Sequence, residues 1–457
     1  MVQGKEHEYA ARIPEHARAG LELLTEKGYE AYLVGGAVRD LLLGGDPTDF
    51  DLATNATPLQ ILEVFKSNRT ILTGFEHGTI TVIIGSEPVE ITSYRVDGTY
   101  SDTRRPDQVT FSHSLEEDVK RRDFTINALA MDASGHVIDF VGGVQDLRKK
   151  TIRCVGDPNL RMQEDELRIL RALRFSAVLG FLIEKETRHS IFQHKKLLTK
   201  VYVERIWSEC TELLCGEQAD QVLLHYISII GVVMPELRPM KGFAQYNPHH
   251  VYDVLEHTAL VVKNTPPQKS LRLAALFHDC GKPAAFSMDT EGVGHFYGHQ
   301  KISRDIAHEI MLRMKADTKT REQVETLVLW HDTDIEPEEK LIRRRLNQFG
   351  ETTLRDLLTI KRADMMAQSE KSLYRLEELE KIRTILDKVI EDSTCFSLKD
   401  LAIHGEDVIA AGVRPGPRVG KILQEVLHQV IEGTVPNEPE PLRNLAAILH
   451  KEIEFRE

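Results

Sequence analysis

The pattern of apolar residues changes once along the chain, near residue 160. Before residue 150, short runs that alternate or favour β-branched residues, such as TITVII, VEITSYR and HVIDFV, are separated by helical and Gly- or Asp-rich stretches. Beyond residue 160, nearly every segment has helical periodicity, as in ELRILRALRFSAVLGF. The pattern predicts an α+β fold, with a small mixed sheet near the N-terminus and an all-helical remainder.

Proline- and glycine-rich stretches such as NPHH, DCGKP and RPGP divide the helical part further. We predict a head over residues 1–150, a helical neck over 151–240, a His-rich helical segment over 241–340 and a helical body and tail over 341–457. No apolar run approaches the roughly 20 residues of a membrane span. Five cysteines without a CxxC pair indicate reduced thiols and a cytoplasmic protein.

The formal net charge of −13 argues against nucleic-acid binding, which normally needs a basic surface. The charge is uneven, however, because arginine and lysine are clustered in several places. These clusters are Arg104–Arg105, Lys120–Arg122, Arg148–Lys150 and Arg343–Arg345, together with Arg168, Arg171 and Arg174. A local basic face therefore stays compatible with RNA as a partner.

Residues 33–52, LVGGAVRDLLLGGDPTDFDL, combine a glycine pair with two acidic residues. Gly35 and Gly36 end a predicted strand and precede a helix, where backbone amides can approach a phosphate. Arg39 can add a charged contact to a triphosphate. Asp49 and Asp51 are one residue apart, so on a strand both carboxylates share one face and together suit Mg²⁺. Taken singly, the glycines are better explained as a turn and the aspartates as a solvated strand end, and only their combination favours a nucleotide site.

The ordered combination resembles the nucleotidyltransferase signature of the DNA polymerase β superfamily. It resembles most closely the class II tRNA nucleotidyltransferases and bacterial poly(A) polymerases. The likeness extends over residues 31–215 and includes a flexible loop, RVDGTYSDTRRPDQVTF. The resemblance implies a polymerase-β-like head that uses Mg²⁺ on Asp49 and Asp51. Glu90 lies on a predicted strand, where it either completes this carboxylate set or is a plain exposed acid. It also implies that Arg122 and Asp123 contact the nucleotide.

The neck segment EDELRILRALRF begins at Glu164. On one helix, Asp165 and Arg168 would be i,i+3 neighbours. A solvated helix with an internal salt bridge would show the same spacing. An Asp accepts and an Arg donates hydrogen bonds, so the pair matches the Watson–Crick edges of C and A and not those of G and U. This resembles the family element that replaces a nucleic-acid template. Arg171 and Arg174 match positions that contact triphosphate or base.

Eight of the 19 histidines lie within residues 249–331. Their order resembles an HD-domain phosphohydrolase, in which imidazoles and carboxylates from separate helices hold a divalent cation that activates water. The resemblance implies His257, His278, Asp279 and Asp332 as ligands, and His299 and His331 for a second metal. A structural body with a relict site is the alternative.

The tail carries the turn GVRPGPRVG before a predicted helix, whose N-terminal amides can hold an RNA phosphate. It resembles the tRNA-binding region of the same family, although a plain helical connection explains it equally. The function expected from the resemblance is addition of C, C and A, from CTP and ATP, to the 3′ end of tRNA. The alternatives are an A-adding, CC-adding or poly(A) polymerase, an HD phosphohydrolase with an inactive head, and a non-catalytic RNA-binding protein.

Overall fold

The computed structural model describes residues 4–97, 109–246, 251–368, 374–392 and 395–456. Most of the predicted flexible loop, residues 98–108, lies outside the described residues, as do His249 and His250. The chain forms two compact units, Met1–Pro235 and Glu236–Glu457. The finer division into head, neck, His-rich segment and tail stays a prediction.

The first unit contains both the sheet and the predicted neck. Its strands are β1 (Ala31–Val34), β2 (Asp51–Thr54), β3 (Thr70–Ile71), β4 (Thr79–Ile84), β5 (Glu87–Ser93), β6 (Arg95–Asp97), β7 (Val109–Phe111), β8 (Ala130–Met131), β9 (Val137–Ile138), β10 (Thr151–Ile152) and β11 (Leu182–Ile183). Its α-helices are α1 (Glu6–Ala11), α2 (Glu15–Glu26), α3 (Gly36–Leu43), α4 (Pro58–Val64), α5 (Leu115–Lys120), α6 (Gly143–Arg148), α7 (Pro158–Glu164), α8 (Arg168–Leu179), α9 (Lys185–His194), α10 (Val203–Leu214) and α11 (Ala219–Val233).

Seven strands form a mixed sheet in the order β3-β4-β5-β2-β1-β8-β9. The β2–β5 pair is parallel and the other pairs are antiparallel. Alternation in TITVII turns Ile80, Val82 and Ile84 to the buried face, where α2 packs against the sheet. The head therefore has the predicted α+β fold.

The helical part of the first unit differs from the sequence prediction at one point. The predicted single helix over residues 164–175 is wrong, because α7 ends at Glu164 and α8 begins at Arg168. Asp165 is extended (φ −142°, ψ 104°), and its side chain accepts a hydrogen bond from the Leu167 amide at 3.1 Å. An aspartate that binds a nearby backbone amide competes with helix continuation, which accounts for the break.

The second unit is nearly all helical, as predicted, with one short hairpin. Its elements are α12 (Val254–Asn264), α13 (Lys269–Phe277), α14 (Lys282–Ala285), β12 (Ser287–Met288), β13 (Gly294–His295), α15 (His299–Arg313), α16 (Thr318–Trp330), α17 (Glu339–Met366), α18 (Arg375–Glu391), α19 (Gly405–Ala410), α20 (Pro417–Ile431) and α21 (Pro439–Arg456). The turn GVRPGPRVG does precede a helix, α20. Within the described ranges, no helix has the length and apolarity that crossing a membrane requires.

Candidate nucleotide site and candidate metal centre

The glycine pair forms the turn between β1 and α3. Gly35 has a φ of +73°, a conformation that L side chains rarely adopt, and it is the N-cap of α3. No side chain caps that helix end. The first amides of α3 are consequently presented at the helix N-terminus, where the helix dipole favours an anion.

A cavity of about 440 Å³ opens beside this turn. It brings together ten of the twelve head and neck residues that the sequence predicted, and adds Arg121, Asn127 and Phe175. The lining residues are Gly35, Gly36, Arg39, Asp51, Arg121, Arg122, Asp123, Asn127, Asp165, Arg168, Arg171, Arg174 and Phe175. Asp49 and Glu90 are the two predicted residues that do not line it.

Three head carboxylates are nevertheless electrostatic neighbours. Because Leu52 pairs with Ile91 in the parallel β2–β5 ladder, Asp51 and Glu90 occupy adjacent positions on the two strands. Asp51 is partly accessible to solvent, but the surrounding protein removes water from its carboxyl, and this burial raises its pKa to about 6. The charges of Glu90 and Asp49 raise the pKa of Asp51 further, and the charge of Arg122 opposes that rise. The three do not form a tight set of ligand atoms in the structure. Three neighbouring carboxylates beside a phosphate-binding turn fit a divalent cation.

Phe175 is the centre of the arginine cluster. The guanidinium carbons of Arg174, Arg39 and Arg171 lie 4.3, 5.2 and 5.4 Å from the centre of its ring. A ring face attracts cations, so one phenylalanine gathers three like charges around a single space. Phe175 itself is buried and fixed by edge-on contact with Phe124 at 5.8 Å.

Buried carboxylates form ion pairs with two of these arginines and fix their positions. Arg171 bonds Asp123 at 2.7 Å, and Arg174 bonds Glu209 of α10 at 2.6 Å. Burial favours the neutral form of Asp123, but the charge of Arg171 outweighs it and lowers the pKa of that carboxyl. Asn127 extends the network, since it accepts from Arg39 at 2.7 Å and donates to Asp123 at 3.3 Å.

The side chains of the predicted base-selecting pair are not joined to each other, although the Arg168 amide donates to the Asp165 carbonyl at 3.0 Å. Asp165 is bound by Arg205 of α10 at 3.1 Å. Arg168 is buried and donates to Glu164 at 2.7 Å, and also to the carbonyls of Arg161 and Arg121 at 3.0 and 3.1 Å. Both side chains line the same cavity while separate partners hold them.

The cavity is basic although the whole protein is acidic. Six arginines and three aspartates line it, against a net charge of −13 for the chain. A local excess of positive charge of this kind suits a polyphosphate. The expected local basic face is thus present at this cavity.

The second unit contains a buried cluster of imidazoles and carboxylates. His257, His278, His299 and His331 come from α12, the end of α13, the start of α15 and the end of α16. In each, Nδ1 lies against a backbone carbonyl, at distances of 3.4, 2.8, 2.9 and 2.7 Å respectively. Because a carbonyl only accepts, Nδ1 carries the proton and Nε2 is the ligand atom.

The four Nε2 atoms face one another in pairs. His257 and His278 are 3.4 Å apart at Nε2, and so are His299 and His331. Asp279 lies between the pairs, with Oδ2 3.1 Å from His278 and Oδ1 3.3 Å from His299. Two neutral imidazoles cannot face their lone pairs at this distance without a proton or a cation between them. The cluster thus fits two metal ions that share Asp279.

A carboxylate that the sequence analysis did not name lies beside the first group: Asp364 of α17 is 2.9 Å from His257 Nε2. Asp332 lines the neighbouring cavity and is bonded by Gln300 at 2.9 Å. The two ligand groups are His257, His278, Asp279 and Asp279, His299, His331, and neither Asp332 nor Asp364 belongs to them. Although burial favours the neutral form of Asp279, His278 and Lys282 hold the pKa of that carboxyl well below its usual range.

Comparison with known proteins identifies the family. The chain is 35% identical over 424 residues to the CCA-adding enzyme of Levilactobacillus brevis, covering 93% of this chain and 95% of that protein. It is 35% identical over 426 residues to the CCA-adding enzyme of Limosilactobacillus reuteri, covering 93% and 94%. This chain belongs to the CCA-adding enzyme family.

Solved structures and domain families agree with this membership. The crystal structure of the Bacillus stearothermophilus CCA-adding enzyme in complex with CTP matches with a TM-score of 0.71 and 29% identity, over 97% of this chain and 98% of that one. The family described as "Poly A polymerase head domain" matches residues 31–153. "Probable RNA and SrmB-binding site of polymerase A" matches residues 180–241, and tRNA nucleotidyltransferase domain 2 matches residues 287–446. The glycine turn, Asp51 and Asp123 of the nucleotide-site cavity thus lie in the matched head domain, while Asp165 lies outside it.

Proposed function

We propose that this member of the CCA-adding enzyme family adds C, C and A in succession to the 3′ end of tRNA, using CTP and ATP. The cavity that joins the glycine turn, Asp51 and the Asp165–Arg168 element supports this proposal. A phosphate-binding turn, an acidic metal site and a polar base-reading pair are the three parts that untemplated nucleotide addition needs.

In the reaction, the amides after Gly35, together with Arg39, Arg171 and Arg174, hold the triphosphate. Asp49 and Asp51, with Glu90 beside them, would hold Mg²⁺. When bound, Mg²⁺ supplies a Lewis acid that favours ionisation of the tRNA 3′-hydroxyl and withdraws charge from the α-phosphate. The hydroxyl oxygen bonds to the α-phosphorus, the bond to the β-phosphate oxygen breaks, and pyrophosphate leaves. The arginines around Phe175 offset the charge on that leaving group.

Asp165 and Arg168 choose the base in this proposal. Asp165 accepts from Arg205 and from the Leu167 amide, and each carboxylate oxygen has a second lone pair for an amino group of C or A. The anchoring of Arg168 by Glu164 and two carbonyls fixes its guanidinium in the cavity wall. Arg205 is a positioning residue, because it acts through Asp165.

We expect Asp165→Ala and Arg168→Ala to relax nucleotide selection. The penalty on G or U comes from groups left unpaired, so removal of one partner should raise GTP and UTP incorporation relative to CTP and ATP by about tenfold. Arg168→Lys keeps the charge but not the planar fork and should also relax selection. Single-turnover incorporation of each NTP on one tRNA measures the ratio. Unchanged rejection of GTP and UTP by both alanine variants would contradict the role.

The deciding experiment for the reaction is addition to tRNA that lacks its CCA end. The protein is incubated with each NTP alone and with CTP plus ATP, and the 3′ ends are sequenced. The proposal predicts two C residues with CTP alone and CCA with both nucleotides. A run of A residues would indicate a poly(A) polymerase, and products ending at CC or gaining only A would indicate the partial enzymes.

We also propose that the imidazole cluster binds divalent cations and hydrolyses phosphate esters. The facing Nε2 pairs and the shared Asp279 support this second activity. Water oxygen would bond to phosphorus, the ester bond to a ribose oxygen would break, and the released proton would pass to that oxygen. Bound cations would supply Lewis acidity to water and phosphate. A terminal 2′,3′-cyclic phosphate blocks the hydroxyl that nucleotide addition needs, so hydrolysis of that phosphate would prepare an RNA end for nucleotide addition. The proposal places both activities in one cytoplasmic protein. Residues 341–457 would contribute to tRNA binding.

A further inference from the structure

An aromatic pair lines the same cavity as the proposed metal centre of the second unit. The cavity measures about 300 Å³ and is lined by Asp279 and His299, by Lys282, and by His295 and Tyr297. Lys282 is buried, 2.7 Å from Asp279 and 2.8 Å from Gln245. Asp332 and Asp364 also line the cavity, so its carboxylates outnumber Lys282, and a phosphate there would depend on the cations proposed for the imidazole cluster. Tyr297 is 79% exposed at the surface of the cavity.

Tyr297 is held in one orientation despite its exposure. Its ring is parallel to that of His295, with an interplanar angle of 7° and centres 5.3 Å apart. His295 Nε2 contacts Asp289 Oδ2 at 2.7 Å, and its Nδ1 lies 3.4 Å from the Tyr297 hydroxyl. Because Asp289 accepts only, His295 donates from Nε2 and can accept from the tyrosine at Nδ1. The hairpin β12–β13 positions the pair, with His295 paired to Ser287.

An exposed aromatic ring beside the proposed phosphate-ester site is the arrangement by which proteins hold an unpaired nucleotide. One face of Tyr297 packs toward His295, and most of the residue stays open to solvent. A cavity of about 300 Å³ is at the small end of ligand sites and suits one nucleotide unit. Stacking does not read base edges, so it tolerates every base.

We propose that Tyr297, positioned by His295, stacks on the nucleobase of the phosphate ester that the second unit hydrolyses. The inference rests on the proposed phosphohydrolase activity and adds a specificity determinant to it. The site then prefers a nucleoside phosphate, or the last unpaired nucleotide of an RNA, over a phosphate ester of the same chemistry that carries no base.

The test compares adenosine 2′,3′-cyclic phosphate with glycerol 1,2-cyclic phosphate, which has no base. In Tyr297→Ala, the ratio of kcat/KM for the nucleotide to that for the glycerol ester should fall about tenfold, mainly through KM. Tyr297→Phe keeps the ring and should retain most of the ratio. Tyr374→Ala is the matched control, because Tyr374 is 72% exposed in the same unit and does not line the cavity.

A binding measurement separates this inference from the hydrolytic activity. Titration calorimetry with adenosine 3′-monophosphate should show about tenfold weaker binding to the second unit for Tyr297→Ala than for the parent. Any binding to the nucleotide site of the first unit should be equal in the two proteins, because Tyr297 belongs to the other unit. If the parent hydrolyses neither ester, the phosphohydrolase proposal fails and calorimetry alone decides the role of Tyr297. An unchanged kcat/KM ratio in an active enzyme, or equal binding by parent and Tyr297→Ala, would overturn the inference.

Discussion

Replacement of either head aspartate should abolish nucleotide addition. In Asp49→Ala and Asp51→Ala, we expect kcat for both C and A addition to fall by at least about 10³-fold, since a bound cation contributes several kcal/mol of charge stabilisation in phosphoryl transfer. Burial, with the charges of Glu90 and Asp49, raises the pKa of Asp51, so the charged form of Asp51 is disfavoured in the folded protein and its loss should not destabilise the fold. Asp49 is exposed, and its loss should be equally well tolerated. Rapid-quench incorporation of CTP and ATP into tRNA measures the effect.

Asp46→Ala is the control for this experiment. Asp46 lies three residues before Asp49, its side chain is 99% exposed, and it pairs with Arg12 at 2.7 Å away from the cavity. That variant should add nucleotides at the parent rate, and all three variants should share the parent's circular dichroism and thermal unfolding. Addition of C and A at near-parental rates by Asp49→Ala or Asp51→Ala would refute the assignment of the metal site.

The second large effect concerns Asp279, whose carboxylate connects the two imidazole pairs. Asp279→Ala should reduce metal-stimulated release of phosphate from p-nitrophenyl phosphate, and opening of a 2′,3′-cyclic nucleotide, to below about 1% of the parent. Nucleotide addition to intact tRNA should continue, because the residues of this cluster and those of the nucleotide site belong to different units. Assays with Mg²⁺, Mn²⁺, Ni²⁺ and Co²⁺ identify the productive cation.

Two further comparisons sharpen that result. Asp279→Asn keeps the side-chain volume, so a loss of hydrolysis in this variant would not come from lost packing around the buried Lys282. Asp364→Ala should impair hydrolysis more than Asp332→Ala, because Asp364 contacts His257 while Asp332 is bonded to Gln300. Absence of hydrolysis by the parent with every cation would leave the cluster as a structural core. Parallel loss of hydrolysis and nucleotide addition in Asp279→Ala would show that the sites are not independent.

Most of the residues that line the cavity beside the glycine turn were predictable from the sequence because they lie in local motifs. A strand followed by Gly35–Gly36 and a helix predicts the turn that the structure has, since the positive φ of Gly35 favours glycine. Arg168, Arg171 and Arg174 repeat every three residues along α8, so their common face follows from helical geometry. The membership of one family over more than nine-tenths of the chain supports the same assignment.

The remaining features depend on long-range packing. In the sequence, Phe175 has the pattern of an ordinary core residue. Its contact with Arg39 joins positions far apart in the chain, so the sequence did not predict it. The doublets His278–Asp279 and His331–Asp332 both end a helix, and sequence alone does not show that only the first turns its carboxylate into the cluster. Asp364 belongs to no doublet and reaches His257 because α17 packs against α12.

In the proposed reaction, the gathering of Arg39, Arg171 and Arg174 around Phe175 has a cost at the end of each catalytic cycle. A site formed by fixed positive charge would not distinguish the β- and γ-phosphates of an incoming triphosphate from the free pyrophosphate that the cycle produces. Pyrophosphate should therefore compete with the next nucleotide, and at high concentration the same contacts should favour pyrophosphorolysis of the new end. Net synthesis by such a site depends on how quickly its surroundings clear that by-product.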